Sequence, residues 1–191
     1  MTKSYFENVN FDKINFTENP LQKGEYENCT FDNCELGNSD LSGVIFLECE
    51  FTNCNLSMAK VANTAFREVN FKDCKLLGLH FENCNTFLFS VNFENCLLNL
   101  SGFYKLSLKK AKFKNCTLHE VDFSETDLSL AIFDDCDLRG AIFQRTILEK
   151  ADFRTAFNYS IDPEENRIKK AKFSMAGLAG LLEKYNIEIN P

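Results

Sequence analysis

Nine cysteines are the residues of this chain whose chemistry asks first for a test: Cys29, Cys34, Cys49, Cys54, Cys74, Cys84, Cys96, Cys116 and Cys136. Thiolates hold zinc, exchange disulfides and act as nucleophiles. A zinc site wants clustered ligands at CxxC-type spacing, and the chain has none. Several cysteines instead stand twenty residues apart, as Cys34–Cys54–Cys74 and Cys96–Cys116–Cys136. The two histidines, His80 and His119, are isolated from one another and from the thiols. GxGxxG, GxxxxGK[ST], HExxH and GxSxG are all missing. Carboxylates are plentiful but regularly spaced, and nothing marks a sheltered pocket that would raise the pKa of one of them. The reading assigns no catalytic residue, no metal ligand and no cofactor.

The spacing that scatters the thiols belongs to a longer rhythm. In "VDFSETDLSLAIFDDCDLRGAIF", Val121 to Phe143, large apolar residues fall at every fifth place: Phe123, Leu128, Phe133, Leu138 and Phe143. A strand alternates every second residue and a helix repeats every 3.6, so neither explains it. The rhythm runs from Phe6 to Phe81 over sixteen centres, slips by two within Cys84–Val91, and resumes from Leu88 through Phe93 to Phe153 over fourteen more. Two places before each centre stands a small or apolar residue and never a charged one; all nine cysteines occupy that slot. Each unit therefore points one large and one small side chain inward and three outward. A chain that turns a corner after every unit, four units to a coil, meets this requirement as a square parallel β-helix.

Units such as "CDLRG" (Cys136 to Gly140), "SDLSG" (Ser39 to Gly43) and "ADFRT" (Ala151 to Thr155) make the chain resemble the pentapeptide-repeat proteins. The resemblance implies an all-β, right-handed quadrilateral parallel β-helix of about 7–8 coils over residues 1–155, with a register shift near 84–90. Residues 156–191 would hold a loop, a last repeat at Phe173 and a terminal helix. Residues twenty apart should stack at the strand spacing, giving a rod of roughly 35–40 Å. Phe93, Phe113, Phe133 and Phe153 would form one column, and Leu98, Leu118 and Leu138 another. The thiols would then be small buried hydrophobes, reduced as in the cytoplasm.

Charge narrows the function. The chain carries 28 acidic and 21 basic residues, a net of −7, which argues against direct nucleic-acid binding. No apolar run approaches the eighteen or so residues of a membrane span, and no signal core opens the sequence; the expected location is cytoplasmic. Glu94, Lys114, Asp134 and Arg154 alternate in sign down one outward column, and Lys105, Glu125 and Arg145 down another. Residues 1–50 differ, with ten acids against three bases. Stacked glutamates in the N-terminal half repel, which stability alone does not favour; Glu27, Glu48, Glu50 and Glu68 form either a plain solvated face or the candidate face for a basic partner.

The tail "SMAGLAGLLEKYN" predicts a short helix capped by Ser174, with Met175, Leu178, Leu181, Leu182 and Tyr185 on its apolar side. It is similar to the terminal element of Qnr-type quinolone-resistance members, which joins two rods end to end. Read by itself the helix would cap the last coil; that resemblance implies in addition a homodimer through Leu178, Leu181, Leu182 and Tyr185. It also implies a partial DNA mimic that binds a type II topoisomerase, DNA gyrase or topoisomerase IV. The long loops of several Qnr-type members are absent here. The alternative is a scaffold or structural repeat protein without DNA mimicry.

Overall fold

The computed structural model describes residues 4–188. The chain winds as a parallel solenoid of about eight turns, each turn four walls long. The first wall is built from β1 (Ser4–Glu7), β3 (Gly24–Glu27), β5 (Ile45–Leu47) and β7 (Ala65–Arg67). The second is a nine-stranded parallel sheet: β2 (Asn10–Asp12), β4 (Thr30–Asp32), β6 (Glu50–Thr52), β8 (Val69–Lys72), β9 (Val91–Glu94), β10 (Lys112–Lys114), β11 (Ile132–Asp134), β12 (Asp152–Phe153) and β13 (Lys172–Phe173). The third and fourth walls are held by single parallel bridges such as Glu35↔Asn55 and Asp122↔Ile142. The strands are short because every fifth residue turns a corner. The turning residue has left-handed backbone, as at Asn33 (φ 56°), Asn53 (φ 54°) and Gly140 (φ 69°). Glycine and asparagine accept that conformation at least cost.

The twenty-residue register is met strand for strand: Phe31 pairs with Phe51, and Phe113 with Phe133. On the second wall nine phenylalanines, Phe11 to Phe173, stack face to face with ring centroids 4.5–5.5 Å apart. Phe81, Phe103, Phe123 and Phe143 stack likewise on the fourth wall. Leu98, Leu118 and Leu138 line the third, all buried. The last expected inward residue, Phe173, lies 5.5 Å from Phe153.

The register shift is resolved differently from the expectation. Leu88 does not begin the second series: it is 65% exposed, at φ 57°, and Thr86 is exposed as well. Phe89 packs against the core in its place, 6.1 Å from Phe81. The two extra residues bulge on the first wall, so β8 pairs with β9 at an offset of twenty-two, Phe71 on Phe93. An aromatic one place later reaches the gap without breaking the stack, and the bulge leaves Phe87 and Leu88 outside.

The C-terminal helix is also corrected. Two 3₁₀ turns, Leu178–Leu181 and Glu183–Tyr185, stand where the apolar spacing predicts one α-helix. Tyr159 lies close against the segment. A Cβ on Gly177 would overlap its hydroxyl, and one on Gly180 its backbone oxygen. The Gly180 carbonyl accepts a hydrogen bond from the Ile161 N–H at 2.9 Å, which ties the segment to the preceding loop rather than to its own next turn. Ser174 still acts at the start, its hydroxyl accepting from the Gly177 N–H at 3.2 Å.

Candidate interaction surface

The cysteines prove to be wall material. All nine are buried and free, and the two expected columns fuse. Because Lys75 bridges to Leu97, Cys74 stands over Cys96, giving one ladder of six thiols from Cys34 to Cys136. Each of the upper four lies near a carbonyl of the preceding turn: Cys34 on Phe11 O at 3.2 Å, Cys54 on Phe31 O at 3.1 Å, Cys74 on Phe51 O at 3.3 Å and Cys96 on Phe71 O at 3.4 Å. Thr64, Ser101, Thr126 and Thr146 donate hydroxyls in the same way at 2.7–2.9 Å. The slot asks for a small side chain with a donor, and a thiol is a small apolar group with a weak one. Burial raises the thiols of Cys34 and Cys84 and pushes Cys49 up to about 12, so these remain protonated. Among the described residues no three His, Cys, Asp or Glu side chains are grouped as a metal ion needs.

The outer surface divides the molecule in two. Twelve ion pairs between Lys or Arg and a carboxylate are formed among the described residues, and ten of them lie after His80. The column Lys105–Glu125–Arg145 closes as expected, at 3.5 and 2.8 Å. The column Glu94–Lys114–Asp134–Arg154 closes only in its first pair, at 2.9 Å. Arg154 turns to Asp152, two residues before it, and Asp134 accepts from the Thr155 hydroxyl. These exposed contacts add about 0–1 kcal/mol each. His119 and Asp137 meet at 2.8 Å on the third wall, and His80 and Glu82 at 2.8 Å on the fourth.

The four candidate glutamates come together along one edge. Glu27 lies on the first wall, in register with Glu7. Glu48 and Glu68 occupy successive left-handed corners between the first and second walls, at φ 52° and 55°. Glu50 opens β6 just past the corner, between Thr30 and Asn70. None of the four has an ionic partner among the described residues; Glu27 accepts from the Tyr5 hydroxyl at 2.6 Å, which holds that hydroxyl protonated above the usual tyrosine range. Glu48 and Glu68 line one shallow groove with Asn28, Arg67, Leu88 and Lys109. Sequence reasoning missed Arg67 and Phe87, which meet here with the guanidinium carbon 5.5 Å from the ring centre. The two-residue slip was their only signal.

At the far end, the residues expected to join two rods are partly divided. Leu181 packs against the core, whereas Leu178, Leu182 and Tyr185 are exposed, with Met175 and Ile187 beside them in the chain's last turns.

A stack of units repeating every five residues, with small, large and corner positions all occupied, is what defines one family. A family model described as a pentapeptide repeat region matches residues 25–87 and 86–157. The chain belongs to the pentapeptide-repeat family. Among solved structures this pentapeptide-repeat chain is similar to QnrB1, a plasmid-mediated fluoroquinolone resistance protein. The identity is 22%, covering 97% of this chain and 99% of that one, with a TM-score of 0.48. It is also similar to HetL of the cyanobacterium Nostoc sp. strain PCC 7120, involved in heterocyst differentiation regulation. There the identity is 16%, covering 90% and 86% of the two chains, with a TM-score of 0.37. No curated protein sequence matches the chain. No helix among the described residues is long and apolar enough to cross a membrane.

Proposed function

We propose that the protein is a non-catalytic interaction module of the cytoplasm whose acidic first wall receives a basic protein surface. The observation that carries this reading is the stack Glu7, Glu25, Glu27, Glu48 and Glu68 on the first wall and its corner, which has no ionic partner and faces the single cation Arg67 among the described residues. Like charges one strand spacing apart repel, whereas the corner column Lys105–Glu125–Arg145 alternates in sign and is paired. A basic partner would relieve that repulsion, and the attraction would be steep in salt.

Full imitation of DNA does not follow. A duplex carries one charge per about 1.7 Å, so a rod of roughly 35–40 Å would need about twenty charges, against a net of −7 for the whole chain. One wall alone would be DNA-like. The DNA-binding surface of gyrase or topoisomerase IV is the first partner to test, on the sequence resemblance to Qnr-type proteins. The test is gyrase supercoiling with and without a quinolone. Protection, lost when Glu27, Glu48, Glu50 and Glu68 are all changed to Lys, supports the reading. No effect of the unmodified protein at high micromolar concentration rejects the topoisomerase, and pull-down from a bacterial lysate then tests for any other basic partner. A homodimer through the exposed Leu178, Leu182 and Tyr185 belongs to the same reading, placing an acidic wall at each end of a longer rod. The ion-paired half of the surface favours the second reading, a scaffold in which coils do no more than space other elements apart.

A further inference from the structure

The corner between the first and second walls can be read down the whole rod. Successive turns place there Asn8, Asn28, Glu48, Glu68, Leu88, Lys110, Leu130, Lys150 and Lys170, all with left-handed backbone. Acid stands on one side of the bulge and base on the other. The adjoining first wall repeats the division. Before the bulge, five glutamates (Glu7, Glu25, Glu27, Glu48, Glu68) face one cation, Arg67, a net of −4. After it, six cations (Lys109, Lys110, Lys150, Arg167, Lys169, Lys170) face two acids, Asp127 and Glu149, a net of +4. Glu48, Glu68, Lys110, Lys150, Lys169 and Lys170 make no ion pair among the described residues, although the corner bearing Lys105, Glu125 and Arg145 is fully paired. Between the halves sit Phe87 and Leu88, both 65% exposed.

We propose that this wall binds a second copy of the chain side by side, with the two rods antiparallel. A two-fold axis through the bulge preserves the direction of the chain along the wall and reverses the rod, so corner meets corner and the interface is self-complementary. Glu68 then faces Lys110 of the second copy, Asn28 faces Lys150, Asn8 faces Lys170, and the two Phe87–Leu88 pairs meet at the centre. Glu48 falls opposite Leu130, one turn from both Lys110 and Lys150. Two oppositions are of like charge, Arg67 with Lys109 and Glu27 with Glu149. In each, one member is already neutralised within its own chain: Lys109 by Asp127 at 3.1 Å and Glu149 by Arg167 at 2.6 Å. The surface is small. A wall about 38 Å long and three extended residues, roughly 10 Å, wide offers about 400 Å², near half of the ~800 Å² per partner of a standard interface. The complex is therefore of the weak, transient kind and sensitive to salt. It covers the same glutamates that a basic partner would use, so pairing keeps the acidic wall occupied until such a partner displaces the second copy.

The experiment is sedimentation of the full chain in a Leu178→Lys, Leu182→Lys background, which removes end-to-end contact. Three proteins are compared: that background, the same with Glu48→Lys and Glu68→Lys, and the same with Lys110→Glu and Lys150→Glu. All six substitutions lie on exposed positions, and circular dichroism checks each fold. Self-association should weaken at least tenfold between about 0.05 and 0.5 M NaCl. Each charge-reversed protein alone should lose it, and mixing the two reversed proteins should restore it. Association unchanged by either reversal, no recovery on mixing, or no association of the background protein at millimolar concentration overturns the proposal. The basic-partner reading fails separately: it predicts that the glutamate reversal abolishes capture of a basic protein while the lysine reversal does not.

Discussion

Phe133 tests the architecture at its most regular point. Its ring is fully buried, with centroids 4.8 Å from Phe113 and 4.7 Å from Phe153 at interplanar angles of 1° and 10°, and an edge-on contact to Phe123 at 5.9 Å. Replacing it by Ala removes the apolar payload and leaves a cavity that the hydrogen-bonded turns above and below cannot close, since their spacing is set by the backbone. The expected loss is about 3–5 kcal/mol. Phe133→Leu keeps most of the volume and removes the two stacked pairs, each worth roughly 0.5–1.5 kcal/mol beyond area, so about 1–3 kcal/mol should be lost. Phe133→Asp adds a charge in a dry core and should cost at least as much as Ala. Equilibrium denaturation followed by circular dichroism gives the three differences, and their order, Leu below Ala and Ala no worse than Asp, is the expectation. A Phe133→Ala protein within 1 kcal/mol of the unmodified chain would show that the column is not a continuous packed stack.

The ladder of thiols should react slowly with a water-soluble thiol reagent in the native state, and all nine should titrate after denaturation; fast native labelling of Cys116 would contradict its burial. Deleting Thr86 and Phe87 turns the bulge into "CNLFS", a regular unit with Leu88 at its centre, and the protein should stay folded with stability within about 2 kcal/mol; loss of folding would mean that the offset at Phe71–Phe93 is required by the turns around it. Lysine at Leu178 and Leu182 should convert an end-to-end dimer to monomer in light scattering without changing the β signal, because both side chains are exposed. A Leu181→Lys protein should lose stability as well, since Leu181 packs on the core.

The sequence alone determined the solenoid. A run of centres at a spacing of five leaves one backbone that buries nearly all of them, Leu88 at the slip excepted, and the spacing fixes in advance which residues stack: Phe113 on Phe133, Leu118 on Leu138, thiol over thiol. Outward columns are legible for the same reason, which is why Lys105, Glu125 and Arg145 could be paired on paper. Tertiary structure decided what happens where the period breaks. At the slip, Leu88 and Phe89 both suited the vacant wall position, and the choice fell to Phe89 because its ring reaches the Phe81 edge across two extra residues of chain. That choice exposes Phe87 and Leu88 and leaves Arg67 on the Phe87 ring, a pair twenty residues apart that keeps the regular register although the slip follows it. At the terminus, an apolar spacing that fits an α-helix gives way to 3₁₀ turns, with Tyr159 packed where a Cβ on Gly177 or Gly180 would stand. Side-chain partners at short range were likewise a three-dimensional matter. Arg154 had Asp134 one turn above and Asp152 two residues away, and it meets Asp152, whose two oxygens accept from its Nε and Nη2.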